Sequence, residues 1–525
     1  MKLKQTAWTV VLLAGPAGWA LFHSPTIRAA SADDDLQAGV QSVARAYSLI
    51  EQNFADPVSS EKAIYQGAIP GMLETLDPHS SFLSPDEWRD MQRRQSAQYF
   101  GVGMGLTVDA GQVVVDQPFP GSPALAAGLQ RGDVIVSVDG HDTHDLEYGE
   151  VANRLRGPRG TPVTVTVRRE GYPQPLSYTV NRAAIQTSVV DAFWIQPGVA
   201  YLGITTFESQ NVSAEVEASL SKLGESNINS LVLDLRGNPG GLVVEAVAVA
   251  GRYLRNGQTV VSHRGRAEAE QVFRAKPQAN GQRYPMVVLV DRHSASASEI
   301  VAGALQDHDR AWLIGETTFG KGLVQGQFQI SEGAALLLTI AHYYTPSGRL
   351  IQRDYQHRSF FEYYTGRHDG NNLADVKATD SGRKVYGGGG ISPDEAYDTP
   401  VATLLERRLA SSPAFFRFGS LYFSGRKPQL PEGWNPDDSA IERFRVYLHQ
   451  QGFPFTDAEY TADRKWVSDE LRKELYFRAF GKDAADRAGI QADAEVSHAI
   501  DSMPKAVALY QQAQRVLARR VAPRR

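Results

Sequence analysis

The sequence predicts an α/β core with a compact β-rich module placed before it and helical regions at both ends. Three observations lead there. Apolar runs at 231–235 and 286–290 each pass into a helical pattern, the strand-then-helix repetition of an α/β fold. Between 98 and 182 the pattern changes to short alternating strands with turn punctuation. A chain of 525 residues is too long for one ordinary domain, and both of its ends read with helical periodicity.

In chain order, residues 1–32 place Lys2 and Lys4 ahead of an apolar stretch, 7–22, interrupted by Gly15, Pro16 and Gly18, and close on Ala30-Ser31-Ala32. That is the layout of a secretory signal cleaved after Ala32, or of an uncleaved N-terminal anchor. The stretch falls short of the roughly 20 residues that a spanning helix needs. Either form places the body in the periplasm or another extracytoplasmic space, secreted or held at the inner membrane. Residues 33–95 form a helical region. Leu36, Val40, Val43, Tyr47, Ile50 and Phe54 mark one apolar face, and a second helix over 60–76 stops at Asp77-Pro78. A small helical bundle accounts for both.

The β-rich module takes 96–182. Its run 133–139 ends in an Asp139-Gly140 turn, Val163, Val165 and Val167 alternate with threonines, and a short helix at 124–127 is closed by Gly128. The core takes 183–400, with helices expected at 243–254 and 296–305 and further strands at 311–315 and 334–344. The last region, 401–525, is a charged helical extension whose basic end, 515–525, reads as a solvated tail.

Composition narrows the chemistry. A net charge of −5 gives no electrostatic reason to expect nucleic acid as a partner. The chain has 0 cysteines, which removes disulfides, thiolate metal sites and a cysteine nucleophile together. A serine motif takes their place. Ser294-Ala-Ser296-Ala-Ser298-Glu299 lies between a buried strand and a helix, where the helix N-terminus offers free N–H groups. The spacing Ser296-x-x-Glu299 is also a capping box, so this motif alone does not separate a nucleophile from a helix cap.

Downstream, Gly320-Lys321-Gly322 opens an expected strand. Lys321 and Gln325 are four apart, which puts them on one face of a regular strand. A lysine acts as a general base only when neutral, and desolvation is what pulls its proton off. Gln325 suits the task of holding that amine without adding the negative charge that would keep it protonated. His293 and His308 flank the serine helix and His342 lies in an expected strand, so a Ser–His pair is the competing mechanism. Asp307, at the far end of the serine helix, is a candidate supporting residue. Finally, Asp234-Leu-Arg236-Gly-Asn-Pro239-Gly240-Gly241 is a glycine loop between strand and helix. It lacks the Gly-Lys-Ser/Thr ending of a nucleotide cradle, so half of an oxyanion hole fits better, with one N–H from Gly240 or Gly241 and the other from Ala297.

At these three segments the chain resembles the C-terminal processing (tail-specific) peptidases, serine endopeptidases with a PDZ domain. Asn-Pro-Gly-Gly, Ser-Ala-Ser-Ala-Ser-Glu-Ile and Thr-Phe-Gly-Lys-Gly-x-Val-Gln stand in that family's order and spacing. Phe100-Gly101-Val102-Gly103, Pro118-Phe-Pro-Gly-Ser-Pro-Ala124 and Gly132-Asp133 resemble its PDZ domain, and Asp77-Pro78 to Pro85 the linker before it. The resemblance implies a crotonase-like core of the ClpP/crotonase superfamily, with Ser296 as nucleophile, Lys321 as base, Gln325 in support and Asp307 at an acidic position. It implies that the PDZ domain captures a substrate's C-terminal tail, with Gly101, Val102 and Gly103 at the carboxylate and Met104 and Leu106 lining the pocket for its last side chain. Arg156 is a candidate for coupling the module to the core. No metal or organic cofactor is implied. The expected partners are proteins with free, apolar C-termini, with an adaptor lipoprotein and a homo-oligomer left open. The alternative function is a non-cleaving scaffold that binds tails through the PDZ module.

Overall fold

Burial on both faces of the central strands organises the protein. The computed structural model describes residues 33–521, apart from 96–97, 110, 187, 268, 277–283, 331–332, 358, 367–371, 424–427 and 432. The expected leader 1–32 and the last four residues of the basic tail lie outside the described residues. The main sheet has six strands in the order Val190–Gln196, Val199–Ile204, Ser230–Asp234, Met286–Val290, Trp312–Gly315 and Glu395–Ala396. Its first pair is antiparallel and every later pair is parallel. Strands Val199–Ile204, Ser230–Asp234 and Met286–Val290 are buried at every residue. That is why they read as continuous apolar runs instead of alternating ones.

One face of the sheet is covered by helices Val212–Leu223, Val243–Tyr253 and Ala297–Asp307. The other face carries Tyr201, Val232, Val287, Leu289 and Ile314. It is covered by Val496, Ala499, Met503 and Ala506 from the C-terminal helices Ala494–Asp501 and Met503–Val521. Part of the C-terminal extension is therefore a layer of the core.

A second, antiparallel sheet stands beside the first. Ala335–Tyr344 pairs with Leu323–Gln329, Thr259–Arg264 and Ser81–Leu83, and Gln271–Arg274 extends it. The sequence suggested single strands here and not a separate sheet, because the pairing joins segments as distant as Ser81 and Leu337. The third sheet is the β-rich module, in the order Met104–Asp109, Gln112–Pro118, Val134–Val138, Pro162–Arg168 and Leu176–Asn181, with helix Tyr148–Leu155 beside it. Val163, Val165 and Val167 all point into its core, as the alternation with threonine requires. Met104–Asp109 is an edge strand. The module hangs from the body on a two-stranded stem, Gln98–Gly101 against Ala183–Gln186.

Helix Asp33–Asn53 forms as expected, but among the described residues no bundle covers its apolar stripe: Leu36 is 63% and Phe54 63% exposed. The expected helix at 60–76 is two pieces, Glu61–Ala68 with wide π-type turns and Ile69–Glu74. Helices Leu404–Ala410, Ala414–Phe423, Asp438–Gln450 and Arg464–Phe480 make a bundle around Leu405, Phe418, Phe444 and Leu471. This bundle grips the module. The Arg131 guanidinium lies 4.8 Å from the ring centre of Phe416 and 3.9 Å from that of Phe477, and bonds Glu474 at 3.0 Å. Arg417 binds Asp109 at the end of the edge strand through Nε at 3.0 Å.

Removing Arg131 breaks a mostly buried ion pair and two ring contacts at once. Arg131→Ala is expected to cost roughly 2–4 kcal/mol at this interface. Faster amide hydrogen exchange across Arg464–Phe480 and the module, with the main sheet unchanged, is the measurement that checks it.

Candidate active site

The turn between strand Met286–Val290 and helix Ala297–Asp307 is built around one carboxylate. Asp291 Oδ1 accepts from the N–H groups of His293 at 3.0 Å, Ser294 at 2.9 Å and Gly237 at 2.9 Å. The three serines that follow differ in what they do. Ser294 is fully buried and donates to the carbonyl of Leu235 at 2.7 Å. Ser298 is fully buried and donates to the carbonyl of Asn238 at 3.0 Å. Both are spent on tying the turn to the glycine loop, and of the three only Ser296 is partly exposed. Its backbone has φ 54° and ψ −111°, outside the regions a side chain prefers. Such strain costs on the order of 1–3 kcal/mol and collects at functional sites.

Glu299 holds this conformation. Its carboxylate is 0% exposed, and Oε2 accepts from the N–H of Ser296 at 2.8 Å and from the N–H of Lys321 at 2.8 Å. Oε1 accepts from Thr318 Oγ1 at 2.6 Å and from the N–H of Gly320 at 2.7 Å. Burial pushes its pKa up, and these donors pull against that. The sequence marked Glu299 only as the acid of a capping box, so its larger task was missed. The clue available was a carboxylate in an otherwise apolar helix face.

Lys321 precedes the strand Leu323–Gln329, and a bulge falls between Val324 and Gln325. Regular alternation therefore does not bring Lys321 and Gln325 together. They meet nonetheless, with Nζ donating to Gln325 Oε1 at 3.2 Å. The glutamine's other end donates to the carbonyl of His79, which fixes which way the amide faces. From there the bonds form a ring. His79 Nε2 and the Tyr363 hydroxyl lie 2.7 Å apart, Gln352 Nε2 donates to that hydroxyl at 3.2 Å, and Gln352 Oε1 accepts from the N–H of Gly322 at 2.8 Å. Burial, with the nearby Lys321 charge, pulls His79 down to about 4. Burial likewise pulls the Lys321 amine below the ordinary lysine value, against the opposing pull of Asp77 and Glu299. Neither Gln352 nor Tyr363 carried a motif, His79 stood in the linker segment with no role attached, and only the fold brings the three together.

Gly240 lies directly against the serine turn, and Gly241 against the backbone of Phe207 and Glu208. A Cβ on Gly240 would stand 2.8 Å from Ala297 N and 2.8 Å from Ser296 Cβ, and one on Gly241 only 2.1 Å from the backbone of Phe207. Both have positive φ, 96° and 144°. Of the two, Gly240 has its N–H engaged by Asn238 Oδ1 at 2.9 Å. The N–H of Gly241, like that of Ala297, meets no acceptor among the described residues.

Other expected residues lie elsewhere. Asp307 is eleven residues along the helix from Ser296, roughly 16 Å away. There it is buried and bonds Arg349 at 2.8 Å, a structural ion pair. Neither His293, His308 nor His342 hydrogen-bonds Ser296 among the described residues. His308 instead sits between Asp380 at 2.8 Å and the carbonyl of Thr259 at 2.8 Å. In the module, Val102 and Met104 belong to the hydrophobic core, Leu106 packs at its margin, and Gly101 and Gly103 lead into the edge strand. A Cβ on Gly103 would meet Ser122. Arg156 follows helix Tyr148–Leu155, exposed, with Nη1 on Asn153 at 3.2 Å.

Residues 198–356 match the model of peptidase family S41, residues 114–169 that of a PDZ domain, and residues 22–86 that of the activating protease CtpB N-terminal domain. A carboxy-terminal-processing protease of Bartonella bacilliformis is 38% identical over 299 residues, 56% of this chain and 68% of the relative. A carboxyl-terminal-processing protease of Synechocystis sp. is 39% identical over 312 residues, 58% of this chain and 72% of the relative. Among solved structures, a photosystem II D1 C-terminal processing protease is 28% identical, covering 73% of this chain and 98% of its own, with a TM-score of 0.36. The chain belongs to the carboxy-terminal-processing proteases of peptidase family S41, serine-type peptidases that carry a PDZ domain.

Proposed function

We propose that the chain cleaves protein substrates with a Ser296–Lys321 dyad, after its PDZ module has taken hold of their free C-terminal tails. The observation that carries the reading is the shared anchor: the amides of Ser296 and Lys321 both donate to Glu299 Oε2 at 2.8 Å. Nucleophile and base are thus held by one buried atom. A neutral Lys321 has two hydrogens and a lone pair. One hydrogen is committed to Gln325, which leaves the lone pair to take the Ser296 proton. The alkoxide attacks the peptide carbonyl, and the N–H groups of Gly241 and Ala297 receive the oxyanion. The Lys321 ammonium then protonates the leaving amine, and water activated by Lys321 releases the acyl-enzyme.

The module would deliver the tail by strand addition to its open edge, Met104–Asp109, with Gly101, Val102 and Gly103 at the carboxylate. Leu106, partly buried beside that edge, favours an apolar last residue. The reading includes a division into 33–95, 96–182, 183–400 and 401–525, a crotonase-like core, and an extracytoplasmic, periplasmic location set by a signal or anchor at 1–32. An adaptor lipoprotein and a homo-oligomer are consistent with it.

Wild type, Ser296→Ala and Lys321→Arg are to be compared on an unfolded protein with an apolar C-terminus and on the same protein ending in Asp-Asp. Both variants are expected to lose activity by about 10³-fold or more. The acidic tail is expected to slow the wild type. Cleavage by Ser296→Ala at the wild-type rate refutes the dyad, and equal rates on both tails refute delivery.

The pH dependence follows from the state Lys321 must be in. The ammonium form has no lone pair, so kcat/KM is expected to rise with pH up to the Lys321 pKa. That limb lies below the ordinary value of 10.5. Tyr363→Phe opens the ring of hydrogen bonds and lets water nearer the amine, so the limb is expected to move to higher pH, with kcat lower by roughly tenfold at neutral pH. Gly240→Ala drives a methyl group into Ser296 and Ala297, and a kcat loss of about 10²-fold is expected, read in steady-state assays with PDZ tail binding intact.

A further inference from the structure

Arg236 opens the loop that ends in Gly240 and Gly241, and three carboxylates hold its guanidinium. Asp234, two residues away, is bound through Nε at 3.0 Å and Nη2 at 2.6 Å. The other two come from the C-terminal extension: Nη2 binds Asp493 at 2.8 Å and Nη1 binds Glu495 at 2.9 Å, 257 and 259 positions along the chain. Both stand at the start of helix Ala494–Asp501, where Asp493 also accepts from the N–H groups of Glu495 at 2.8 Å and Val496 at 3.2 Å. That helix is seated by Val496 and Ala499 against the outer face of the main sheet. The carboxylates are therefore presented from a packed surface, and a planar guanidinium held on several sides has little freedom to turn.

On this side the loop borders a polar cavity of about 510 Å³, lined among others by Asp234, Arg236, Gly237, Asp291 and Glu495. On this side the ion pairs fix the Arg236 end of the loop, in addition to the hydrogen bonds that hold Leu235, Gly237 and Asn238 from the serine turn. We propose that Asp493 and Glu495 are positioning residues for the oxyanion loop, acting through Arg236 to hold the Gly241 N–H where charge develops on the substrate carbonyl. The inference rests on the reading that Gly241 and Ala297 form the oxyanion site. Their contact with the substrate matters most in the transition state, so the clamp acts on kcat and not on tail binding.

The test compares Glu495→Gln, Asp493→Asn and the double variant in the full chain, at about pH 8.5, above the Glu495 carboxyl that burial pushes up to about 7. The substrate is the unfolded protein with an apolar tail. The second probe is a peptidyl boronate, whose tetrahedral adduct fills the oxyanion site. The double variant is expected to lose kcat by about tenfold or more with KM within about twofold, and its boronate affinity to fall in proportion. Glu495→Asp, which keeps the charge, is expected to recover most of the loss. Wild-type kcat and boronate affinity in the double variant overturn the proposal. So does a loss of kcat that Glu495→Asp does not recover and that tracks a lowered melting temperature. An inactive Ser296→Ala beside a fully active double variant sinks this inference alone, whereas an active Ser296→Ala sinks the dyad beneath it.

Discussion

The arrangement of the site depends on the burial of one carboxylate. Glu299 has no access to solvent, and all the donors it meets are groups whose places matter: the amides of Ser296, Gly320 and Lys321 and the hydroxyl of Thr318. An unpaired buried carboxylate is costly, so the surrounding chain must bring donors to it. This constraint reaches across both sheets, because Ser296 follows a strand of the parallel sheet and Lys321 leads into the antiparallel one. It also offsets the strain at Ser296, whose amide is bonded in a conformation that a serine would otherwise leave. The same residue that caps the start of the helix sets the spacing of Ser296 and Lys321.

Desolvation then has opposite uses a few residues apart. It keeps Lys321 and His79 toward their neutral forms and works against the charge on Glu299. The residues that shut out water around Lys321 come from three stretches of chain: the turn at Asp77–Ser80, the strand carrying Gln325, and the segment with Gln352 and Tyr363. The turn is itself tied down, with Asp77 accepting from the N–H groups of His79 and Ser80, both at 2.8 Å. A segment that reads in the sequence as a plain linker is thus a wall of the site.

Much of the parallel sheet was legible because burial on both faces leaves an unmistakable apolar run, as at Met286–Val290 and Ser230–Asp234. The β-rich module was legible for the opposite reason, its clean alternation at Val163, Val165 and Val167. The antiparallel sheet was not, since its pairings depend on turns and distances that no local pattern encodes. Within the site, the meeting of Lys321 with Gln325 was read from strand periodicity. The bond is there, but a bulge breaks that periodicity, and the contact is held instead by the His79 carbonyl. Asp307 was expected in support at the far end of the serine helix, and at that end it pairs with Arg349. Tyr363 and Glu495 are invisible in sequence for the same reason: each acts on a partner far along the chain.

The C-terminal layer has a consequence for how the protein comes into being. A ribosome makes the chain from its N-terminus, so the strands of the parallel sheet exist before the helices that cover their second face. Until Val496, Ala499, Met503 and Ala506 arrive, that face stays bare and Arg236 lacks two of its three carboxylates. A nascent or interrupted chain therefore carries Ser296 and Lys321 before the layer that covers the second face of the sheet. The order of synthesis thus leaves the outer face of the main sheet to be covered after its strands are made.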